Sequence, residues 1–307
     1  MFSFVVKRLA VAVPTLLLLI VISFLLMHAA PGGPFTQERA LPPQVLANLE
    51  AKYGLDQPLW RQLVTYVWGI VAHFDFGPSF IYKDRTVNEI IAQGFPVTLT
   101  YGSVSFVVAV IVGITLGVAA AIRHNSWLDY LAVGISIGAQ VLPNFVMAPL
   151  LLLTFTWWLG WLPGGGWEDG QWQYMVMPVI ALSTSYMASI ARLTRASMLE
   201  VLTSNHIRTA RAKGLPERQV ILRHALKPAL LPVMSYLGPA FVAMITGSVV
   251  VDFFFSTGGI GRAFVDSALN RDYAVMLGIT ILVGALTILF NLVVDVLYGW
   301  IDPKIRY

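Results

Sequence analysis

Six long apolar windows, interrupted only by Asp252 and Asp295, constrain this chain more than anything else in it. They run roughly from Leu9 to Met27, Val97 to Ile122, Tyr130 to Leu159, Tyr174 to Ile190, Leu230 to Phe255 and Tyr273 to Ile301. Each approaches or exceeds the roughly 20 residues a helix needs to cross about 30 Å of hydrocarbon. In that medium a helix is the simplest way to satisfy every backbone N–H and C=O within one segment. The windows therefore predict an all-α integral membrane protein with six transmembrane helices. Composition agrees, with 57% hydrophobic residues and only 12% charged ones, about half the charge of a soluble domain. Pro143 and Pro149 in the third window, Pro178 in the fourth, and Pro232 and Pro239 in the fifth predict kinks or broken ends.

The basic residues set the orientation. Lys7, Arg8, Arg123, Arg192, Arg195 and the cluster from Arg208 to Lys227 fall on one side of the six windows, as do Lys304 and Arg306. The short loops of the other side carry only Arg262 and Arg271. The positive-inside bias then places both termini in the cytoplasm. Lys7-Arg8 before an apolar run has the look of a secretory signal, but Pro31 follows Met27-His-Ala-Ala30 directly, and an uncleaved anchor is the expectation. The net charge of +4 follows from the inside bias and calls for no nucleic-acid partner. Cysteine is absent, which excludes disulfides and thiolate chemistry.

Three regions follow: residues 1–30 as the first transmembrane helix, 31–95 as a small helical extracytoplasmic lobe, and 96–307 as a five-helix core with a cytoplasmic loop at about 192–230. Within the lobe, Leu46, Leu49 and Tyr53, then Leu59, Leu63 and Val67, are spaced for two helices. Asp56 with Pro58 is a start signal for the second. The lobe is too small for an ample core. It is either a structural cap or a surface for an external partner.

Inside the membrane, Gly113-xxx-Gly117 and Gly134-xxx-Gly138 are spaced for close helix packing. Asp252, expected near the outer surface, and Asp295, toward the inner one with Asn291 a turn before it, are costly unless paired, hydrated or protonated. Each has a structural reading, bonding to a neighbour, and a functional one, a role in transport. The five histidines share no ligand spacing, so no metal site is expected. No G-x-x-x-x-G-K-[ST], H-E-x-x-H or G-x-S-x-G occurs, so neither ATP hydrolysis nor these hydrolytic chemistries are expected of this chain. Gly258-Gly-Ile-Gly261 reads as a tight turn in an outer loop.

The loop from Arg192 to Lys227 carries the clearest local design. Ser204 suits the cap of a short helix running through Lys213, Gly214 its left-handed end, and Pro216 the first turn of a second helix. Arg208 and Arg211 share one face. Physical chemistry alone permits plain inside-positive anchoring or a docking handle for a partner.

The run Arg208-Thr-Ala-Arg-Ala-Lys-Gly-Leu215, with Arg223-His-Ala-Leu-Lys-Pro-Ala-Leu-Leu-Pro232, resembles the cytoplasmic EAA loop of ATP-binding-cassette (ABC) importer permeases of the oligopeptide, dipeptide and nickel group. The general Glu-Ala-Ala is replaced by Arg208, Thr209 and Ala210, as in the peptide subgroup. The resemblance continues through Val6-Lys-Arg-Leu9, Ala30-Pro-Gly-Gly-Pro-Phe35, Tyr53-Gly-Leu-Asp-Gln-Pro58, Asp75-Phe-Gly-Pro-Ser79, Phe95-Pro-Val-Thr-Leu99, Gly258-Gly-Ile-Gly261, Asn270-Arg-Asp-Tyr273 and Asp302-Pro-Lys-Ile-Arg-Tyr307. These motifs are most similar to the B-type subunit of oligopeptide permeases. Leu41 to Lys52 and Leu162-Pro-Gly-Gly-Gly-Trp167 incline the reading to oligopeptides over dipeptides or nickel. Asp252 stands where members of the family often carry Glu.

The resemblance implies a multi-pass subunit of the bacterial cytoplasmic (inner) membrane that forms half of a translocation pathway. Its partners would be a second, C-type permease, two ATPase subunits and a periplasmic or extracellular peptide-binding protein, all set in membrane lipid. No cofactor is expected in this chain; ATP and Mg would be bound by the ATPases. Coupling would run through residues 204–215, with Arg208, Thr209, Ala210, Arg211, Ala212, Lys213, Gly214 and Leu215 as the docking element. The competing classes are a proton-coupled secondary transporter using Asp252 and Asp295, and, weaker still, a membrane-embedded hydrolase.

Overall fold

The computed structural model describes the backbone of residues 2–29, 35, 42–246 and 248–301, and the side chains of residues 8, 10–29, 35, 42–246 and 248–293. Ala30 to Pro34, Leu41, the terminal Asp302 to Tyr307 and the Asp295 side chain lie outside the described residues. Among those described, the structure is helical, with one isolated bridge between Pro78 and Thr86. The helices are α1 (Phe2–Ala29), α2 (Pro43–Tyr53), α3 (Leu59–His73), α4 (Val87–Ile122), α5 (Trp127–Val141), α6 (Asn144–Leu151), α7 (Trp172–Leu202), α8 (Asn205–Ala212), α9 (Glu217–Gln219), α10 (Leu226–Thr246), α11 (Val249–Phe255), α12 (Ile260–Asn270) and α13 (Tyr273–Ile301). Five helical stretches among the described residues are long and apolar enough to cross a membrane, or six if the bent pair of α5 and α6 with the turns that follow it is one span.

Local chemistry explains the boundaries. Thr86 and Glu89 form a reciprocal capping box: Glu89 N donates to Thr86 Oγ1 at 3.2 Å and Thr86 N to Glu89 Oε2 at 3.0 Å. That satisfies two of the free donors of a helix start and begins α4 well ahead of its apolar window. Ser126 caps α5 by accepting from Asp129 N. Pro58 serves as the N-cap residue of α3 without a side-chain bond, so Asp56 plays no capping part.

The third window breaks at the first of its two prolines, while Pro149 lies inside α6. Leu142, before Pro143, is extended (φ −81°, ψ 109°), the conformation a following proline favours, and the chain bends by 102° there. α6 then continues into wide π-helical turns at Leu152–Trp158. By contrast Pro178 lies inside α7 and Pro232 and Pro239 inside α10. Pro228 has no N–H for the carbonyl one turn earlier, and π-helical turns at Val220–Ala225 lie just before it, a usual accommodation of a lost bond. The fifth window does not stay one helix: α10 ends at Thr246 and a separate seven-residue α11 follows. An apolar run reports burial and not continuity, and Ser248, in a turn, lies just before α11.

The chain divides into two compact units. Residues 1–98 and 258–307 form one, and 99–257 the other. In the first, Val87, Ile90, Ile260, Ala274, Val275 and Ile279 form a buried cluster. α1 packs on α13, where Gly284 comes close to Leu19. α2 and α3 have no buried residue of their own, consistent with a segment too small to enclose a core.

In the second unit α7 is central, with α5, α6, α10 and α11 packed on it. α4 meets it through Gly113 and Gly117. A Cβ on Gly117 would lie 2.5 Å from Ala191 O and 2.6 Å from Thr194 Cβ, so only glycine allows this approach. Gly134 and Gly138 differ: a Cβ on either meets nothing within 4 Å. Among the described residues, the second small-residue motif therefore makes no close helix contact.

The same substitution should act in opposite directions at the two sites. Gly117→Ala forces α4 from α7 and should lower stability by about 1–3 kcal/mol. Gly138→Ala, with open space and a helical backbone, should raise it by roughly 0.5–1 kcal/mol. Thermal unfolding of the detergent-solubilised protein measures both, and equal shifts would contradict the packing.

Candidate functional site

The corner between α7 and α10 is the most organised feature outside the apolar spans. α7 runs on past Ile190 to Leu202, and α8 starts at Asn205 with Ser204 in the N-cap position. Ser204 does not cap with its side chain; its hydroxyl donates to Val201 O at 2.6 Å. α8 is strongly two-sided. Ile207 and Ala210 are buried in a cluster with Met198, Val220, Ala225 and Ala229, and Leu215 packs against its edge. Arg208, Thr209, Arg211, Ala212, Lys213 and Gly214 are exposed.

The eight residues named from sequence thus divide by role. Ala210 and Leu215 anchor the corner, and the other six face outward. Ile207, fully buried, was missed, although its spacing of three from Ala210 on a short cationic helix marks the inward face. Gly214 adopts φ +76°, the left-handed conformation expected of it. Pro216 is the N-cap residue of α9. Arg211 Nη2 donates to Glu217 Oε1 at 2.6 Å and Nε to Oε2 at 3.2 Å, a bidentate bridge across the corner. That bond holds the Arg211 guanidinium above its ordinary pKa, so its charge is engaged within the chain. Arg208 and Arg211 are both exposed, but Glu217, beyond Pro216, claims Arg211.

A second polar cluster joins α5 to α7. Asp129, 1% exposed, accepts from Arg195 Nε at 2.5 Å and Nη2 at 2.7 Å, and from Asn125 N at 3.0 Å, with His124 Nδ1 3.1 Å away. A carboxylate buried this deeply needs such donors. Ser126-Trp-Leu-Asp129 carries a capping-box spacing that could have drawn attention to Asp129.

Asp252 is fully buried in α11. It accepts from Tyr101 Oη at 2.7 Å, from Ser248 Oγ at 3.3 Å and from Thr257 Oγ1. Several donors on one carboxylate form a structural node tying α4 to α11. Nothing in sequence spacing linked Tyr101 to it, since the two lie 151 positions apart. Asn291 is exposed on α13.

Other sequence motifs meet in pairs. Ser79 Oγ, Phe80 N at 3.2 Å and Ile81 N at 3.4 Å donate to the carboxylate of buried Asp272. This joins Asp75-Phe-Gly-Pro-Ser79 to Asn270-Arg-Asp-Tyr273. Thr98 Oγ1 accepts from Ile260 N at 3.0 Å, which joins Phe95-Pro-Val-Thr-Leu99 to Gly258-Gly-Ile-Gly261. Gly258 has φ +73°, and the Ile260 N–H points to Thr98, so this stretch is a turn in protein contact. In the second unit Gly166 N donates to Phe255 O at 2.8 Å, setting the Leu162 to Trp167 stretch against α11. Among the described residues no group of three or more His, Cys, Asp or Glu is placed to hold a metal.

The family model described as "Binding-protein-dependent transport system inner membrane component" matches residues 113–307, and its N-terminal counterpart matches residues 1–102. The chain belongs to this family: it is a multi-pass subunit of the inner membrane and a transport component. It is 58% identical over 307 residues, all of both chains, to the oligopeptide transport system permease protein OppB of Salmonella typhimurium. It is 57% identical over the same length to OppB of Escherichia coli K12. Identity to the dipeptide transport system permease protein DppB of Bacillus subtilis is 42%, covering all of this chain and 98% of that one. Among solved structures, an inward-facing MetNI methionine ABC transporter matches with TM-score 0.59 and 16% identity, over 70% of this chain and 97% of the other. That likeness supports the fold alone.

Arg195→Met would leave the buried Asp129 carboxylate without its guanidinium partner. A loss of about 3 kcal/mol is expected, read as a lowered unfolding temperature. Pairing it with Asp129→Leu should recover much of the loss, and strict additivity of the two changes would count against the ion pair.

Proposed function

We propose that this chain is the B-type permease subunit of an ABC importer of oligopeptides, forming half of the pathway through the inner membrane. The observation that carries this reading is identity above 55% along the whole chain to oligopeptide permeases named OppB. Dipeptide permeases match at a lower 42%, which favours oligopeptides within the group. Both termini lie in the cytoplasm, residues 31–95 form a lobe toward the outer side, and residues 96–307 form the permease core.

In this reading the chain performs no hydrolysis itself. ATP and Mg are bound by two partner ATPases, a second homologous permease completes the pathway, and a peptide-binding protein delivers substrate from outside. α8 is the coupling element. Ile207 and Ala210 root it in the cluster shared with α7 and the start of α10, so a push on its exposed face moves those helices together. Arg208, Thr209, Ala212 and Lys213 face the ATPase, while Arg211 and Glu217 hold the corner angle. Alternation of access then follows from rigid movement of packed helices. Asp252, with donors from Tyr101, Ser248 and Thr257, acts as a packing node, which counts against the proton-carrier alternative.

Purification of the tagged chain in mild detergent should bring down a second permease and ATPase subunits, with ATPase activity stimulated by a peptide-loaded binding protein. A chain recovered alone, inactive toward ATP yet transporting under a proton gradient, would replace this reading with a secondary transporter. Gly214→Val tests coupling separately. No atom lies within 4 Å of the new Cβ, so the cost is backbone strain of about 1–2 kcal/mol concentrated at the corner. Uptake should fall and ATPase activity should uncouple with the subunit still in the membrane. Gly214→Asn, which tolerates the left-handed region, should retain most function.

A further inference from the structure

α3 carries an apolar face that none of the described residues covers. Trp60, Val64, Trp68 and Val71 recur at helical spacing, and each is between 59% and 67% exposed. The opposite side of the same helix is different in character. Gln62, Thr65, Tyr66 and Gly69 line a cavity of about 320 Å³ together with Phe24 of α1 and Tyr273 of α13. The helix is thus amphipathic with its more polar face turned inward, the reverse of a helix on a soluble lobe.

Its position against α1 says what the outer face meets. Leu63 and Val67 share an apolar groove with Leu17 and Val21 of α1, and the Tyr66 and Phe24 rings lie 6.5 Å apart. The apolar span of α1 runs from Ala10 to Ala29, so Leu17 and Val21 sit near its middle. At 1.5 Å per residue, Leu17 is roughly 18 Å along the axis from Ala29, more than half of a hydrocarbon core about 30 Å thick. α1 is a membrane span whose Leu18, Ile22, Leu25 and Leu26 are themselves exposed along its length. Between Arg61 and His73 α3 carries no charge, and its 15 residues make about 22 Å of helix, too short to cross and suited to partial embedding. Tryptophan is also the side chain favoured where hydrocarbon meets headgroups.

We propose that α3 is embedded in the lipid beside α1, with Trp60, Val64, Trp68 and Val71 against acyl chains, so that this helix of the lobe sits in the bilayer and not above it. The occupant is the bilayer because the exposed face of α3 is continuous, through the shared groove, with the exposed side of a spanning helix. Leaving four large apolar side chains in water would forfeit the burial that their area offers.

The chain has no cysteine, so each variant carries one label site on this chain, read in a complex whose other subunits have had their cysteines replaced. Val64→Cys and Val71→Cys, each carrying a bimane fluorophore in the complex purified from its membrane into nanodiscs, should lose fluorescence to doxyl-labelled phosphatidylcholine and be unaffected by iodide. Lys52→Cys on α2 should show the opposite pattern. Quenching by iodide at positions 64 and 71 overturns the proposal in favour of a solvated lobe. Protection from both quenchers overturns it in favour of a partner subunit covering the face. Should either variant fail to assemble, a photoactivatable diazirine lipid applied to the unsubstituted complex gives a second reading: crosslinks within residues 59–73 are expected, and their absence while α1 is labelled rejects the embedding.

Discussion

A carboxylate buried in a helical membrane protein must find its donors within the protein, because hydrocarbon supplies none. Asp129, Asp252 and Asp272 are each almost wholly buried, and each organises the elements around it. Asp129 joins α5 to α7 through Arg195; Asp252 joins α4 to α11 through Tyr101; Asp272 gathers backbone N–H groups of residues 80 and 81 with Ser79 Oγ at the start of α13. Apolar packing between helices is weakly directional when lipid is an equally apolar alternative. These polar nodes, with the glycine contact of α4 on α7, supply the direction that apolar packing lacks.

The corner at α8 combines firmness and availability. Its inward residues belong to the same cluster as the end of α7 and the beginning of α10, whereas its basic residues are exposed. Both properties suit the coupling role proposed for it. The left-handed turn at Gly214 and the Arg211 to Glu217 bridge fix the corner between α8 and α9. The sequence pattern marked a short cationic helix here, but Glu217 lies beyond Pro216 and its bond to Arg211 exists only because the chain turns back there.

Helix type, and five or six of the spans, were legible because the windows are long and the bilayer permits few alternatives. The two helices of the 31–95 segment were legible from spacing, and the break at Pro143 from proline chemistry. Less legible was whether an apolar run stays one helix: the Leu230 to Phe255 window holds two. Equal-looking glycine motifs also proved unequal, since Gly117 faces α7 and Gly138 faces open space. No one-dimensional pattern reports which side of a helix has a neighbour.

By itself the sequence determined the membrane class, the helical content and the short motifs, because hydropathy, capping and turn chemistry act over a few residues. Tertiary structure decided which motifs meet: Ser79 with Asp272, Thr98 with Ile260, Tyr101 with Asp252. It also decided that Ala210 anchors while Arg208 is presented, and that α3 turns its apolar face outward along α1. The reason is the same in each case. A side chain's role depends on what stands opposite it, and in a bundle that partner comes from a helix distant in sequence, brought near by packing and by the need of buried polar groups for one another.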